Sequence, residues 1–165
     1  MEVELRAEPL DGPIARQLIA ELDANLSSLY PPEETFFALP TADVFLVARI
    51  GDRPVGCGAL RKLDATTAEV KRMYVRPEAE GNGIGGRIVE ALADWAARDG
   101  VTRLVLETGA RQHAAIALYE RCGFTPIPAF GTYVSSPSSR CYERLLSLPS
   151  SHDADRRPSD GGQST

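Results

Sequence analysis

The chain has 165 residues, 43% of them hydrophobic, which is the size and apolar fraction of one ordinary globular domain. A formal charge of −5 and a pI near 5.1 argue against a broad nucleic-acid or anionic-membrane surface, where Lys and Arg should dominate. Cys57, Cys122 and Cys141 are odd in number and widely spaced, with no CxxC. They read as buried reduced thiols, with no disulfide framework and no metal site.

The first element is a strand: Val3, Leu5 and Ala7 alternate with Glu4, Arg6 and Glu8. No basic segment followed by an apolar run opens the chain, and no apolar stretch approaches the roughly 20 residues that span a bilayer. A cytoplasmic location is expected. Asp11-Gly12-Pro13 opens a helix, with Pro13 in the first turn, where its missing N–H is harmless. Ile14, Leu18, Ile19, Leu22, Leu26 and Leu29 share one helical face, and Tyr30-Pro31-Pro32 ends it. Glu33 to Thr41 has no clear period.

Val44 to Ile50 reads as a strand, Gly51-Asp52-Arg53 as a hairpin turn, and Val55 to Leu63 as the partner strand. A turn at Asp64-Ala65-Thr66 leads to a strand from about Ala68 to Val75. Ile84, Ile88, Val89, Leu92, Trp95 and Ala96 mark a strongly amphipathic helix that closes near Asp99-Gly100. Leu104-Val105-Leu106 is a short strand. Ala115, Leu118, Tyr119 and Cys122 share a further helical face, and Arg140 to Leu146 is the last strand. The order implies a single α/β (α+β) domain over residues 1–148, with a mixed, mostly antiparallel sheet flanked by helices. Pro149 to Thr165 lacks large aliphatic and aromatic side chains, so residues 149–165 are expected to be a disordered tail.

The most informative segment is Glu80-Gly81-Asn82-Gly83-Ile84-Gly85-Gly86, between a strand and the best helix. Four glycines in six positions are costly unless the backbone must approach something closely. At a helix amino terminus, free N–H groups and the positive dipole end suit an anion, and a diphosphate fits such a cradle. Gly81, Gly83 and Gly86 also match GxGxxG, but several residues separate them from the preceding strand, unlike a dinucleotide site. No Gly-Lys-Ser/Thr follows, as a nucleotide-triphosphate loop requires. An accidental glycine cluster is the remaining alternative.

At this point the chain resembles the GNAT superfamily of N-acetyltransferases. Glu69 to Pro77 resembles the family's central strand and following loop. Glu80 to Gly85 resembles its Arg/Gln-x-x-Gly-x-Gly/Ala signature. Gln112 to Phe124, with Leu118-Tyr119-Glu120-Arg121-Cys122-Gly123-Phe124, resembles its Asn-x-x-Ala-hydrophobic-x-Leu-Tyr-x-x-x-Gly-Phe helix. Two positions depart from the pattern: Glu80 replaces Arg or Gln, and Gln112 replaces Asn.

The resemblance implies splayed central strands and acetyl-CoA as cosubstrate. It also implies transfer of an acetyl group through a tetrahedral intermediate to a primary amine of a small metabolite, with an amino acid among the candidates. Met73, Val75, Gly81, Asn82, Gly83, Ile84, Gly85, Gly86 and Gln112 would bind the cosubstrate. Tyr119 would be the general acid, unless it only fills the helix face. Glu69, placed by alternation on the face of Met73, would be the base, unless it is a solvated strand-end carboxylate. Tyr30, Glu33, Arg72, Tyr133 and Tyr142 would line the acceptor side. Arg72 there is either a carboxylate clamp or an ordinary solvated charge. His113 reads as a surface histidine. Pro126 to Glu143 is similar to a bacterial subgroup named after indole-acetate or amino-acid substrates. A monomer or homodimer acting on a small molecule is expected, with no nucleic-acid or membrane partner. Acetylation of a protein lysine or amino terminus, or acyl-CoA sensing without turnover, are the alternatives.

Overall fold

The computed structural model describes residues 2–31 and 41–147; Glu33 and the expected tail from residue 149 lie outside them. In chain order the elements are β1 (Val3–Ala7), α1 (Pro13–Leu29), β2 (Val44–Ile50), β3 (Arg53–Lys62), β4 (Thr67–Val75), α2 (Ile84–Arg98), β5 (Arg103–Gly109), α3 (His113–Arg121), β6 (Thr125–Ile127) and β7 (Ser139–Leu145). Short 3-10 turns cover Pro77–Ala79 and Gly131–Ser135.

One sheet holds all seven described strands in the order β1-β2-β3-β4-β5-β7-β6. Every neighbouring pair is antiparallel except β4 and β5. Hairpins explain the antiparallel run. Gly51 takes φ 59° between β2 and β3, and Asp64 Oδ1 accepts the N–H groups of Thr66 (2.9 Å) and Thr67 (2.8 Å) between β3 and β4. Parallel neighbours need a crossover, and α2 supplies it.

The buried side chains fall into two layers because β2 and β3 are covered on both faces. Ile84, Ile88, Val89, Leu92 and Ala96 of α2 pack against Val44, Leu46, Leu60, Ala68 and Val70. On the opposite face, Ala15 and Leu18 of α1 pack against Phe45, Val47, Cys57 and Ala59.

β6 is absent from the sequence reading. It pairs Thr125, Pro126 and Ile127 with Glu143, Tyr142 and Cys141. Its central proline is tolerated because this strand lies at the sheet edge, where one row of N–H groups has no ladder partner. A bulge forces a second correction. The β3–β4 register shifts between Cys57↔Tyr74 and Ala59↔Lys71, so Arg72 and Met73 together oppose Gly58. Arg72 takes φ 56°, rare for a side-chain-bearing residue. The extra residue reverses the alternation. Ala68 and Val70 share the α2 face with Met73 and Val75, while Tyr74 packs with the α1 layer. Glu69 therefore does not share a face with Met73.

Candidate active site

The parallel pairing of β4 with β5 ends early. It runs from Thr67↔Arg103 to Val70↔Leu106, whereas β4 continues to Val75 and β5 to Gly109. The splayed strands that the motifs implied are thus a register fact. Beyond the last pair two concavities meet: a groove of about 760 Å³ and a smaller cavity of about 100 Å³. Leu22, Leu26, Met73, Gln112 and Tyr119 line both.

The groove is the expected cosubstrate side. Met73, Val75, Gly81, Gly83, Ile84, Gly85, Gly86 and Gln112 all line it. Gly81 and Gly83 hold φ 80° and 72°, and a Cβ on either would meet no atom within 4 Å. Gly85 has a different reason to be glycine: a Cβ there would sit 2.9 Å from Leu118 Cδ2, so its absence lets α2 and α3 approach closely. The first bond into α2 runs from the Arg87 N–H to Gly83 O at 3.2 Å. The N–H groups of Ile84, Gly85 and Gly86 precede it, and no side chain caps them. Uncapped donors opening on a roomy groove fit a diphosphate. The Asn82 side chain instead donates to Ala79 O (3.0 Å) and Glu80 O (3.3 Å). It shapes the loop and does not line the groove. Glu80 does line it, as do three basic groups that the sequence reading did not assign to it, Arg111, His113 and Arg121.

Gln112 sits at the junction because its carboxamide ties down the loop before α3. Its Oε1 accepts the Gly109 N–H at 2.7 Å and the Thr108 hydroxyl at 3.2 Å. Tyr119, 6% exposed, stands one helical face further on, with its ring edge-to-face with Phe124 at 5.9 Å. Burial pushes its phenol well above the usual range, and the nearby Glu107 carboxylate adds to the shift.

The small cavity brings together Tyr30, Glu69, Lys71, Arg72, Glu107 and Tyr133. Glu69 is buried within β4, not solvated at a strand end. Its Oε2 accepts the Tyr133 hydroxyl at 2.7 Å and lies 3.6 Å from Lys71 Nζ. Lys71 also donates to the Tyr133 hydroxyl at 3.1 Å. Burial, with Glu69 close by, raises the Tyr133 phenol strongly. Arg72 is not a solvated charge either. Its side chain is 6% exposed and Nη1 bonds Asp23 of α1 at 2.7 Å. Tyr30 is a latch: its hydroxyl accepts the Arg111 N–H at 2.8 Å, Arg111 lies over its ring, and Arg111 Nη1 reaches Leu29 O at 2.6 Å.

One expected lining residue is elsewhere. Tyr142 belongs to the α2-side core and lines neither concavity. Strand alternation is the cause: Cys141 and Glu143 of β7 face one way and Tyr142 the other. Glu107 is the reverse case. The sequence reading passed over it, although a carboxylate directly after the apolar run at Leu104–Leu106 is legible as a strand-end group. Burial raises its carboxyl above the ordinary range, against the lowering effects of the Ser139 side chain and the Lys71 charge.

A seven-stranded sheet split between its parallel strands, with an uncapped glycine-rich helix start beside the split, defines an acyl-transfer enzyme of the acetyltransferase class. The chain belongs to the Acetyltransferase (GNAT) family, whose pattern matches residues 14–124. It is 42% identical over 147 residues to a protein named IAA acetyltransferase from Azospirillum brasilense, covering 86% of this chain and 95% of that one. A solved structure described as an acyl-CoA N-acyltransferase from Klebsiella pneumoniae superposes with a TM-score of 0.77 at 32% identity, covering 87% of this chain and 97% of the other. A GNAT family acetyltransferase from Elizabethkingia anophelis with acetyl-CoA bound shares the fold, with a TM-score of 0.67 at 19% identity over 87% of this chain and 98% of that one. Among the described residues no helix is long and apolar enough to cross a membrane.

Proposed function

We propose that this protein acetylates the primary amine of a small metabolite in the cytosol, with acetyl-CoA held in the large groove and the amine in the small cavity. The meeting of the two concavities at Met73, Gln112 and Tyr119 carries the reading, because donor and acceptor can then reach one point from opposite sides of the split. Acetyl-CoA supplies the activated acetyl group. The N–H groups of Ile84, Gly85 and Gly86 hold its diphosphate. The β5-facing edge of β4 beyond Val70 has no strand partner, so Met73 and Val75 offer main-chain groups for the pantetheine arm and the carbonyl oxygen. Tyr119 holds a proton at Oη beside the junction, and a phenol is a suitable donor to a departing thiolate. A cavity of about 100 Å³ favours a small amine over a peptide. Arg72 Nη1 is paired with Asp23, while its buried Nε has no hydrogen-bond partner, so an amino-acid acceptor stays among the candidates.

Calorimetric titration with acetyl-CoA, followed by thiol-release assays across an amine panel, tests this. Micromolar binding and amine-dependent thiol release are expected. No binding at millimolar acetyl-CoA would end the proposal.

A further inference from the structure

Arg72 is held from two directions at the wall of the small cavity. Its backbone sits at φ 56° in the β4 bulge, a conformation that side-chain-bearing residues rarely adopt, and its carbonyl accepts the Cys57 thiol at 3.3 Å. Its side chain is 6% exposed, and Nη1 donates to Asp23 of α1 at 2.7 Å. A long, flexible cation is thereby fixed in a cavity that Leu22, Leu26 and Tyr30 of α1 share with Thr108 and Gly109 of β5.

Part of this guanidinium is unsatisfied. Nε is buried without a hydrogen-bond partner, and among the described residues Asp23 is the one side chain that the group bonds. Nε and Nη2 direct their N–H bonds along the same edge of the guanidinium plane, the edge that takes both oxygens of one carboxylate. Asp23 occupies Nη1 and leaves that edge open. A buried charged donor without an acceptor is costly, so keeping one at a cavity wall points to an acceptor that arrives with the ligand. The cavity's own carboxylates do not supply it. Glu69 accepts from Tyr133 at 2.7 Å and lies 3.6 Å from Lys71, and the neighbours acting on Glu107 are Ser139, Lys71 and Glu69.

Resting on the acetyltransferase reading, we propose that Arg72 determines acceptor specificity: its Nε–Nη2 edge binds a carboxylate of the acceptor, which is therefore an amino acid. The bond from Nη1 to Asp23 fixes the guanidinium plane, so the two free N–H groups are aligned before the ligand arrives. Met73, the next residue, lines both concavities. A carboxylate fixed at Arg72 thus anchors the acceptor beside the place where donor and acceptor meet. Lysine would not substitute, because its point charge lacks the planar fork.

The test offers the full chain the common amino acids, each with its amide and its decarboxylated amine, such as phenylalanine with phenylalaninamide and phenethylamine. The best amino acid should exceed both of its partners at least about tenfold in kcat/KM. Arg72→Gln should lower kcat/KM for that amino acid about a hundredfold, chiefly through KM, and leave its decarboxylated amine within about threefold. Arg72→Lys should recover only part of the loss. A purely structural role would lower amino acid and amine alike, and the preference of the unaltered chain stands independently of any variant. Amides or amines that match the amino acids, or an equal fall for both in a folded Arg72→Gln, would overturn the proposal. Acetyl-CoA binding is measured alongside by calorimetry. No binding at millimolar ligand counts against the acetyltransferase reading itself, whereas binding with no amino acid acetylated overturns the role given to Arg72.

Discussion

Tyr119 shows how a residue's chemistry is set by its neighbours. As a helix-face aromatic it could only fill space, but its ring packs on Phe124 while its edge reaches the junction of the two concavities. Tyr119→Phe keeps that packing and removes the proton. Acetyl-CoA affinity should stay within twofold of wild type while kcat falls at least about tenfold; unchanged kcat would remove Tyr119 from the reaction. Glu80 is a residue-scale problem of the opposite kind. It lines the groove beside the uncapped amino terminus of α2, where a negative charge opposes a bound diphosphate. Glu80→Arg should lower the acetyl-CoA Kd about fivefold, the scale of an exposed charge interaction. A Kd equal to or above wild type would show that the side chain turns to solvent.

At the level of elements, the site depends on how α1 and the β5–α3 loop are held across the sheet. Tyr30, at the end of α1, lies directly over Gly109, where a Cβ would fall on its hydroxyl and ring. Gly109 is thus required by close approach, and its N–H is separately held by Gln112. Gly109→Ala should cost about 2 kcal/mol of stability, typical of overpacking a tight contact, read by urea denaturation. It should also raise the KM for the amine, because Tyr30 walls the cavity. Wild-type stability would mean that the latch swings aside freely. The bulge in β4 is the second such device. By putting Arg72 at φ 56° it turns Met73 toward α2 while Glu69 and Lys71 keep the opposite face, so one strand presents side chains to the core-side groove and to the small cavity from opposite faces.

Across the whole molecule, α1 is fastened to the strand and loop that line the large groove. Glu21 accepts Arg76 Nε at 3.0 Å and Nη2 at 2.8 Å, and Tyr74 donates to it at 3.2 Å. The Arg76 guanidinium holds the Glu21 carboxyl below its usual 4.5, and burial lifts the Tyr74 phenol to about 12. A depressed carboxylate stabilises the fold above its unfolded-state pKa, and that contribution is lost as pH falls through the lower folded value. Glu21→Gln should therefore melt about 3 °C below wild type at pH 7, the equivalent of roughly 1 kcal/mol in a chain of this size. The gap should close as pH drops from about 5 to 3. A constant gap down to pH 3 would assign the loss to shape and not to charge.

Local patterns in the sequence were sufficient for most elements. The period-2 strands, the apolar stripe of α2, the turn at Gly51 and the glycine run before Ile84 each depend on neighbours within a few residues, and they stand where the pattern put them. The groove-lining glycines were legible for the same reason, whereas Met73 and Val75 followed only from the resemblance to the family's central strand. Long-range pairing decided the rest. One inserted residue opposite Gly58 reversed the faces of Glu69 and Met73, the alternation of β7 sent Tyr142 into the core, and β6 exists because β7 offers it an edge. Glu107 became a site residue only through the fork after Leu106. Periodicity reports which side of its own strand a residue takes, whereas register, bulges and the partner strand's point of departure determine what that side meets.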